Sequence, residues 1–139
     1  MFVWSCLTCL NYLEKRYLVV ADRADLYSYF FELGVRLLKP GGRLGYICSS
    51  TFFRTRAGKA LRRYLLEESE IETIVDFGDL QVFGGVTTYP AIITLRRANG
   101  EMDGHNLRFL KAEPLPDDLS KAFTIASHSM PCAQLGAGS

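Results

Sequence analysis

The 139-residue sequence is short of most things that mark a self-contained catalyst. It has two histidines, His105 and His128, with no nucleophile pattern beside either, which argues against a Ser–His or Cys–His hydrolase. No Walker lysine loop is present and no GxGxxG opens a helix; Gly41-Gly42 and Gly84-Gly85 resemble phosphate loops only superficially. No apolar run reaches the roughly 18 to 20 residues needed to span a bilayer, so no membrane partner is expected. Charge of one sign is lacking too. Sixteen basic residues against 15 acidic leave a formal charge of +1, and any affinity for nucleic acid has to come from a local patch. Of the four cysteines, Cys6 and Cys9 have the spacing of half a zinc knuckle, but no second CxxC or histidine pair completes four ligands. They read as two thiols, with no metal site. The apolar stretch Met1 to Leu10 has no basic leader and no small-residue cleavage site after it, so a reducing, cytoplasmic setting is expected.

What is present is ordinary globular material. The hydrophobic set makes up 48% and charged residues 22%, which excludes disordered, collagenous and coiled-coil chains. The length suits about one domain. Leu26, Phe30, Leu33, Leu37 and Leu38 recur at helical spacing and predict a helix over Ala24 to Leu38 with that stripe inward, ended by Pro40-Gly41-Gly42. Arg43 to Ser50 reads as a strand buried on both faces, with Cys48 in the core. A second helix is predicted over Arg56 to Glu68 with Leu61, Tyr64 and Leu65 inward, then strands over Ile71 to Phe77 and Thr88 to Arg96. The last pair lacks a helical connector and predicts an antiparallel edge hairpin; Leu107 to Leu110 is a candidate short strand. From Pro114 onward the chain is punctuated by proline and serine and reads as loop-rich. The element order is that of an open α/β sheet with too few strands to bury both faces, half a sheet.

Three features could carry chemistry. Arg54, Arg56, Lys59, Arg62 and Arg63 form an uninterrupted basic cluster at the start of the second helix, against the helix macrodipole. It is either a phosphate-facing patch or a solvated face. Asp76 and Asp79 flank a strand end, where they serve either a ligand or a turn. The loop from Asp79 to Pro90 places Phe83, Tyr89 and a glycine pair between two strands, and there Phe83 either stacks on a flat ligand or plugs the loop onto the core.

In this order, the segments ADLYSYFFE, LLKPGGRLG, SSTFFRTRAGKALRRYL, IVDFGDLQVF and TTYPAIITLRR resemble the adenine-specific DNA methyltransferases of type II restriction-modification systems, the Eco57I-like methylases. The likeness covers about Tyr12 to Arg97. It implies the C-terminal half of a Rossmann-like, class I S-adenosylmethionine-dependent methyltransferase sheet ending in an antiparallel hairpin. It also implies an unassigned segment over residues 1–11, a partial catalytic domain over 12–112, and over 113–139 the start of a recognition region. By resemblance Phe30 packs on the cofactor adenine, with Asp25 and Leu26 at the same helix mouth. Phe83 stacks on a flipped-out target adenine, and the basic cluster meets the backbone of double-stranded DNA. The family's Asn-Pro-Pro-Tyr motif, its glycine-rich cofactor loop and its acidic ribose ligand have no match in this sequence. No catalytic residue is therefore assigned. The expectation is a methyltransferase fragment inactive alone. The alternatives are a subunit completed by a partner chain that supplies the N-terminal half, or a non-catalytic DNA-binding module.

Overall fold

The computed structural model describes residues 11–20, 25–85, 88–100 and 104–136. After helical residues 11–16 (α1) come α2 (Leu26–Leu37), β1 (Arg43–Ser49), a 3-10 turn η1 (Ser50–Phe53) and α3 (Lys59–Glu68). There follow β2 (Ser69–Asp76), β3 (Pro90–Arg97), β4 (Asn106–Lys111), α4 (Leu119–Ala126), β5 (His128–Pro131) and the short α5 (Ala133–Gly136). The five strands form one sheet in the order β1-β3-β2-β4-β5. β3 runs antiparallel to both β1 and β2, whereas β2 and β4 are parallel.

This topology refines the sequence reading in two places. The β2–β3 pairing is antiparallel, as expected, but β3 lies inside the sheet, wedged between β1 and β2. The edges of the sheet are β1 and β5, and β1 is half-buried rather than covered on both faces, with Ile47 exposed. The stretch from 113 onward, expected to be loop-rich, carries α4, β5 and α5, and β5 adds a strand beside β4. Among the described residues no helix is long and apolar enough to cross a membrane.

One face of the sheet holds the larger core. Ile71 and Ile74 of β2 reach the same side because a bulge between Ile71 and Thr73 absorbs the odd spacing. There they meet Ile93 and Leu95 of β3, Leu107 of β4, Phe31 and Val35 of α2, and Leu61 and Leu65 of α3. Phe31 is fully buried, with its ring 4.8 Å from Tyr46 and 5.9 Å from Phe52. The opposite face carries a smaller cluster, Val75, Phe77, Leu110 and Ala112, covered by Leu119, Ala122 and Phe123.

The helix α2 is turned the other way round from its sequence reading. Its buried residues are Ser28, Tyr29, Phe31, Glu32 and Val35, whereas Leu26, Phe30, Leu33 and Leu37 of the expected inward stripe are exposed. Glu32 explains the choice. Its carboxylate is fully buried, accepts from the backbone N–H groups of Leu18 (2.7 Å) and Val19 (2.9 Å), and pairs with Arg36. A buried carboxylate is tolerated when it is paired and hydrogen-bonded in this way. At the other end of α2, Arg97 of β3 donates to the carbonyls of Arg36 and Leu38, cations and carbonyls meeting where the helix dipole favours it.

Candidate functional site

Since α2 and α3 both run back across a face of the sheet, their N-termini lie beside the C-terminal ends of β1 and β2. This rim gathers most of the residues singled out from sequence. At the mouth of α2, Tyr27 interacts with Asp25 and with Thr51 of η1, and burial raises its phenol pKa above the ordinary value. Asp25 is the exposed N-cap of α2 and makes no side-chain capping bond. Leu26 and Phe30 follow it on the exposed flank. These three form one open wall, with no enclosing partner among the described residues. They present an exposed surface and not an enclosed pocket.

Beyond β1 the chain turns at η1, capped by the Ser49 hydroxyl, which accepts from the Thr51 N–H (3.3 Å) and lies 2.9 Å from the Thr51 hydroxyl. The turn rests on Gly58, where a Cβ would overlap the backbone of Phe52. That contact brings the basic segment to the rim. Arg54 is exposed and lies 3.8 Å from the buried carboxylate of Asp76. Arg56 and Lys59 are exposed and have no ion pair among the described residues; Arg63 is exposed and pairs with Glu67 at 2.7 Å. Arg62 departs from the other four. It is 2% exposed and donates to the carbonyls of Phe52 and Thr55, so it holds η1 onto α3 and presents no charge to a phosphate. Arg56, Lys59 and Arg63 line a groove of about 660 Å³ along α3 that ends at Glu67 and Glu68.

Asp76 takes the turn role. Its Oδ1 accepts from the Gly78 N–H at 3.0 Å, and Gly78 has φ +58°, with the Glu113 side chain in the space a Cβ would need. Asp79 lies in the turn that follows, and among the described residues no cluster of metal-ligating side chains occurs. Cys6 and Cys9 lie outside the described residues.

Phe83 is half-exposed and does not plug the core. With Ile47, Cys48, Ser49, Thr88 and Pro90 it lines an apolar pocket of about 290 Å³ at the end of β1, a small volume for a ligand site. Burial pushes the Cys48 thiol up to about 12, which favours the neutral form over the nucleophilic thiolate. The loop is anchored by the Ser50 N–H, which donates to the Tyr89 carbonyl at 2.6 Å, and by the Ser49–Pro90 register.

One arrangement was invisible in the sequence. Cys132 and His105, 27 positions apart, come together with the thiol 3.2 Å from Nε2, which also lies 3.1 Å from the Ile71 carbonyl. Burial raises the Cys132 pKa, so the thiol stays protonated. The pair sits at the starts of β2 and β4, the opposite end of the sheet from the rim, and closes the core there.

Comparison with known proteins bears on the family and the fold. Residues 8–83 match the model of the Eco57I restriction-modification methylase family. The type II methyltransferase M.BstVI of Geobacillus stearothermophilus is 41% identical over 87 residues, covering 62% of this chain and 16% of the relative. The type II restriction enzyme and methyltransferase RM.Eco57I of Escherichia coli is 36% identical over 90 residues, covering 65% of this chain and 9% of the relative. The chain thus spans a small part of the curated relatives it matches. In fold it is similar to a chain described as a class I S-adenosylmethionine-dependent methyltransferase of Listeria monocytogenes, with a TM-score of 0.60 and 16% identity. That match covers 89% of this chain and 36% of the other. DrdV, solved in complex with DNA, gives a TM-score of 0.59 at 13% identity, covering 91% of this chain and 15% of the other. The five-stranded α/β sheet is therefore part of a class I methyltransferase fold, and the chain belongs to the Eco57I restriction-modification methylase family.

Proposed function

We propose that this chain contributes the C-terminal part of the catalytic sheet of a site-specific DNA methyltransferase that transfers a methyl group from S-adenosylmethionine to the N6 amine of adenine. The observation that carries the reading is the half-exposed Phe83 over an apolar pocket at the strand ends, beside a segment of exposed basic charge. An aromatic face in such a place stacks on an extrahelical base, contributing about 1 to 3 kcal/mol. Arg54, Arg56, Lys59 and Arg63 meet the phosphates of double-stranded DNA. Each such contact steepens the salt dependence of binding by about 0.9 in log K against log salt. The bound cofactor supplies an electrophilic methyl group, and Asp25, Leu26 and Phe30 provide one wall of its site. In this reading residues 12–112 belong to the catalytic domain, and the α4 and β5 elements beyond them complete the same sheet and do not begin a separate recognition region.

The Asn-Pro-Pro-Tyr segment, which by the family resemblance accepts from the target amine, has no match in the sequence. The free edge of β1 is where a further strand, from a longer polypeptide or a partner chain, completes the sheet. The test is methyl transfer from radiolabelled S-adenosylmethionine into unmethylated DNA. It compares the chain alone with the chain mixed with a polypeptide that supplies the Asn-Pro-Pro-Tyr half, with modified bases identified by mass spectrometry. The chain alone is expected to give no transfer and the mixture N6-methyladenine, reduced by Phe83→Ala. Methylcytosine as the product, or transfer by the chain alone, would overturn the proposal. Micromolar cofactor affinity in calorimetry of the isolated chain would contradict the single open wall.

A further inference from the structure

We propose that two copies of this chain associate about a two-fold axis, pairing β1 with β1 of the second copy and laying the outer stripe of α2 against its counterpart. Such a dimer depends on the fold alone, not on the function proposed above.

The two elements form one surface. Gly34 lies so close to β1 that a Cβ there would come 2.9 Å from the Leu44 side chain, and the Phe31 ring is 4.8 Å from Tyr46. α2 therefore runs along β1 in the opposite direction, with Glu32 on its inner side toward Tyr64 of α3. At about 100° per residue the exposed Leu26, Phe30, Leu33 and Leu37 fall on the flank away from α3, over the outer edge of β1. That edge is open among the described residues. The Ser50 N–H donates to the Tyr89 carbonyl and the Arg97 N–H to the Gly42 carbonyl, so the even-numbered residues of β1 bond to β3. The backbone groups of Arg43, Gly45, Ile47 and Ser49 point the other way. β1 has no proline and its one charged residue, Arg43, stands at its end, so it lacks the usual devices that block strand addition. The opposite edge, β5, is four residues long and ends in Pro131.

Self-complementarity selects a second copy as the occupant. The stripe residues are separated by four, three and four positions, a spacing that is its own reverse. An antiparallel copy sets Leu26 against Leu37 and Phe30 against Leu33, about a midpoint between residues 31 and 32. On β1, an antiparallel ladder centred on Tyr46 pairs Gly45 with Ile47 and Arg43 with Ser49, all of them outward-facing. Since Phe31 packs on Tyr46, one axis serves both elements. The charges agree too. Asp25 is exposed at the N-terminus of α2 and Lys39 just beyond its C-terminus, and antiparallel packing brings opposite charges and opposite dipole ends together. An isologous contact of this kind closes at two copies. A chain engaged in it has no free β1 edge to offer another polypeptide.

The experiment is sedimentation velocity of the 139-residue chain in reducing buffer. It runs from about 1 to about 500 μM, where a modest interface associates. The mass is expected to rise with concentration from 15.6 kDa to twice that value and no further. Amide hydrogen exchange at the same concentrations is expected to show growing protection at Gly45 and Ile47. Leu33→Lys, which sets a charge against Phe30 of the other copy, is expected to stay monomeric with the dilute melting temperature unchanged. Should Leu33→Lys fail to fold, Leu37→Ala decides, since Leu37 is 77% exposed in the single chain. It is expected to weaken association about 10-fold or more. A monomer at every concentration would overturn the dimer, as would growth beyond two copies. Association that leaves the Gly45 and Ile47 amides unprotected, or that is as strong in Leu37→Ala, would overturn this interface.

Discussion

The two faces of the sheet are built differently. On one, α2, α3 and η1 close over Ile74, Ile93, Leu95 and Leu107 with fully buried Phe31, Phe52, Leu61 and Leu65 between them. On the other, α4 covers only the Val75–Leu110 end, and Ile47 at the β1 edge stays exposed beside the Phe83 pocket. Stability is concentrated on the first face. Apolar surface available to a ligand is left on the second, so a residue's face, more than its hydrophobicity, decides whether it supports the fold or the site.

Truncations should separate the faces most clearly. Phe31→Ala empties a fully enclosed space and is expected to cost about 3 to 5 kcal/mol of unfolding free energy. Leu110→Ala, on the thinner α4 side, should fall near the low end of the large-to-small range, about 2 kcal/mol. Urea denaturation of both variants measures the difference. Equal costs would mean that the α4 side is as tightly closed as the α2 side.

A smaller effect probes the boundary between core and pocket. Cys48 packs against the first core and lines the pocket, and burial raises its pKa from 9.0 to about 12. The folded state therefore favours the neutral thiol. Its contribution to stability is complete below the unfolded value near 9 and is lost as pH rises towards 12. Tyr27 and Tyr64, both raised from 10.0 chiefly by burial, act in the same direction at higher pH. Cys48→Ala should thus flatten the stability decline that begins near pH 9, measured by thermal melting from pH 7 to 10.5. Rapid alkylation of Cys48 in the folded chain at pH 8 would contradict the shift.

The sequence made most of the first face legible and misjudged one helix within it. Leu61, Tyr64 and Leu65 are inward as their spacing requires, and β2 and β3 fall within two residues of their expected limits at every end. Buried Arg62 could not be read, because its partners are carbonyls of Phe52 and Thr55, which a side-chain pattern does not encode. Glu32 misled for the same reason. A carboxylate marks the wet side of a helix unless backbone N–H groups await it, and those of Leu18 and Val19 lie 14 and 13 positions away. The site was legible as types, Phe83 and the basic segment, and not as an assembly. The Cys132–His105 contact exists only once the strands are in register.

The outer stripe of α2 turns that misreading into the smallest and most decisive measurement. α2 is apolar on two sides, Tyr29, Phe31 and Val35 on one and Leu26, Phe30, Leu33 and Leu37 on the other, so periodicity alone cannot choose between them. In the structure Leu26 and Leu37 are 62% and 77% exposed. Replacing them with Glu at the N-terminal end and Lys at the C-terminal end removes little buried area and places each charge where the helix dipole favours it. The double variant Leu26→Glu, Leu37→Lys is expected to change stability by no more than about 0.5 kcal/mol, as is usual for surface substitutions. Were the stripe inward, burying two unpaired charges would unfold the chain. A near-neutral result in urea denaturation therefore fixes the orientation of α2. It also leaves Phe30 on the exposed flank, where the cofactor wall of the proposed function requires it.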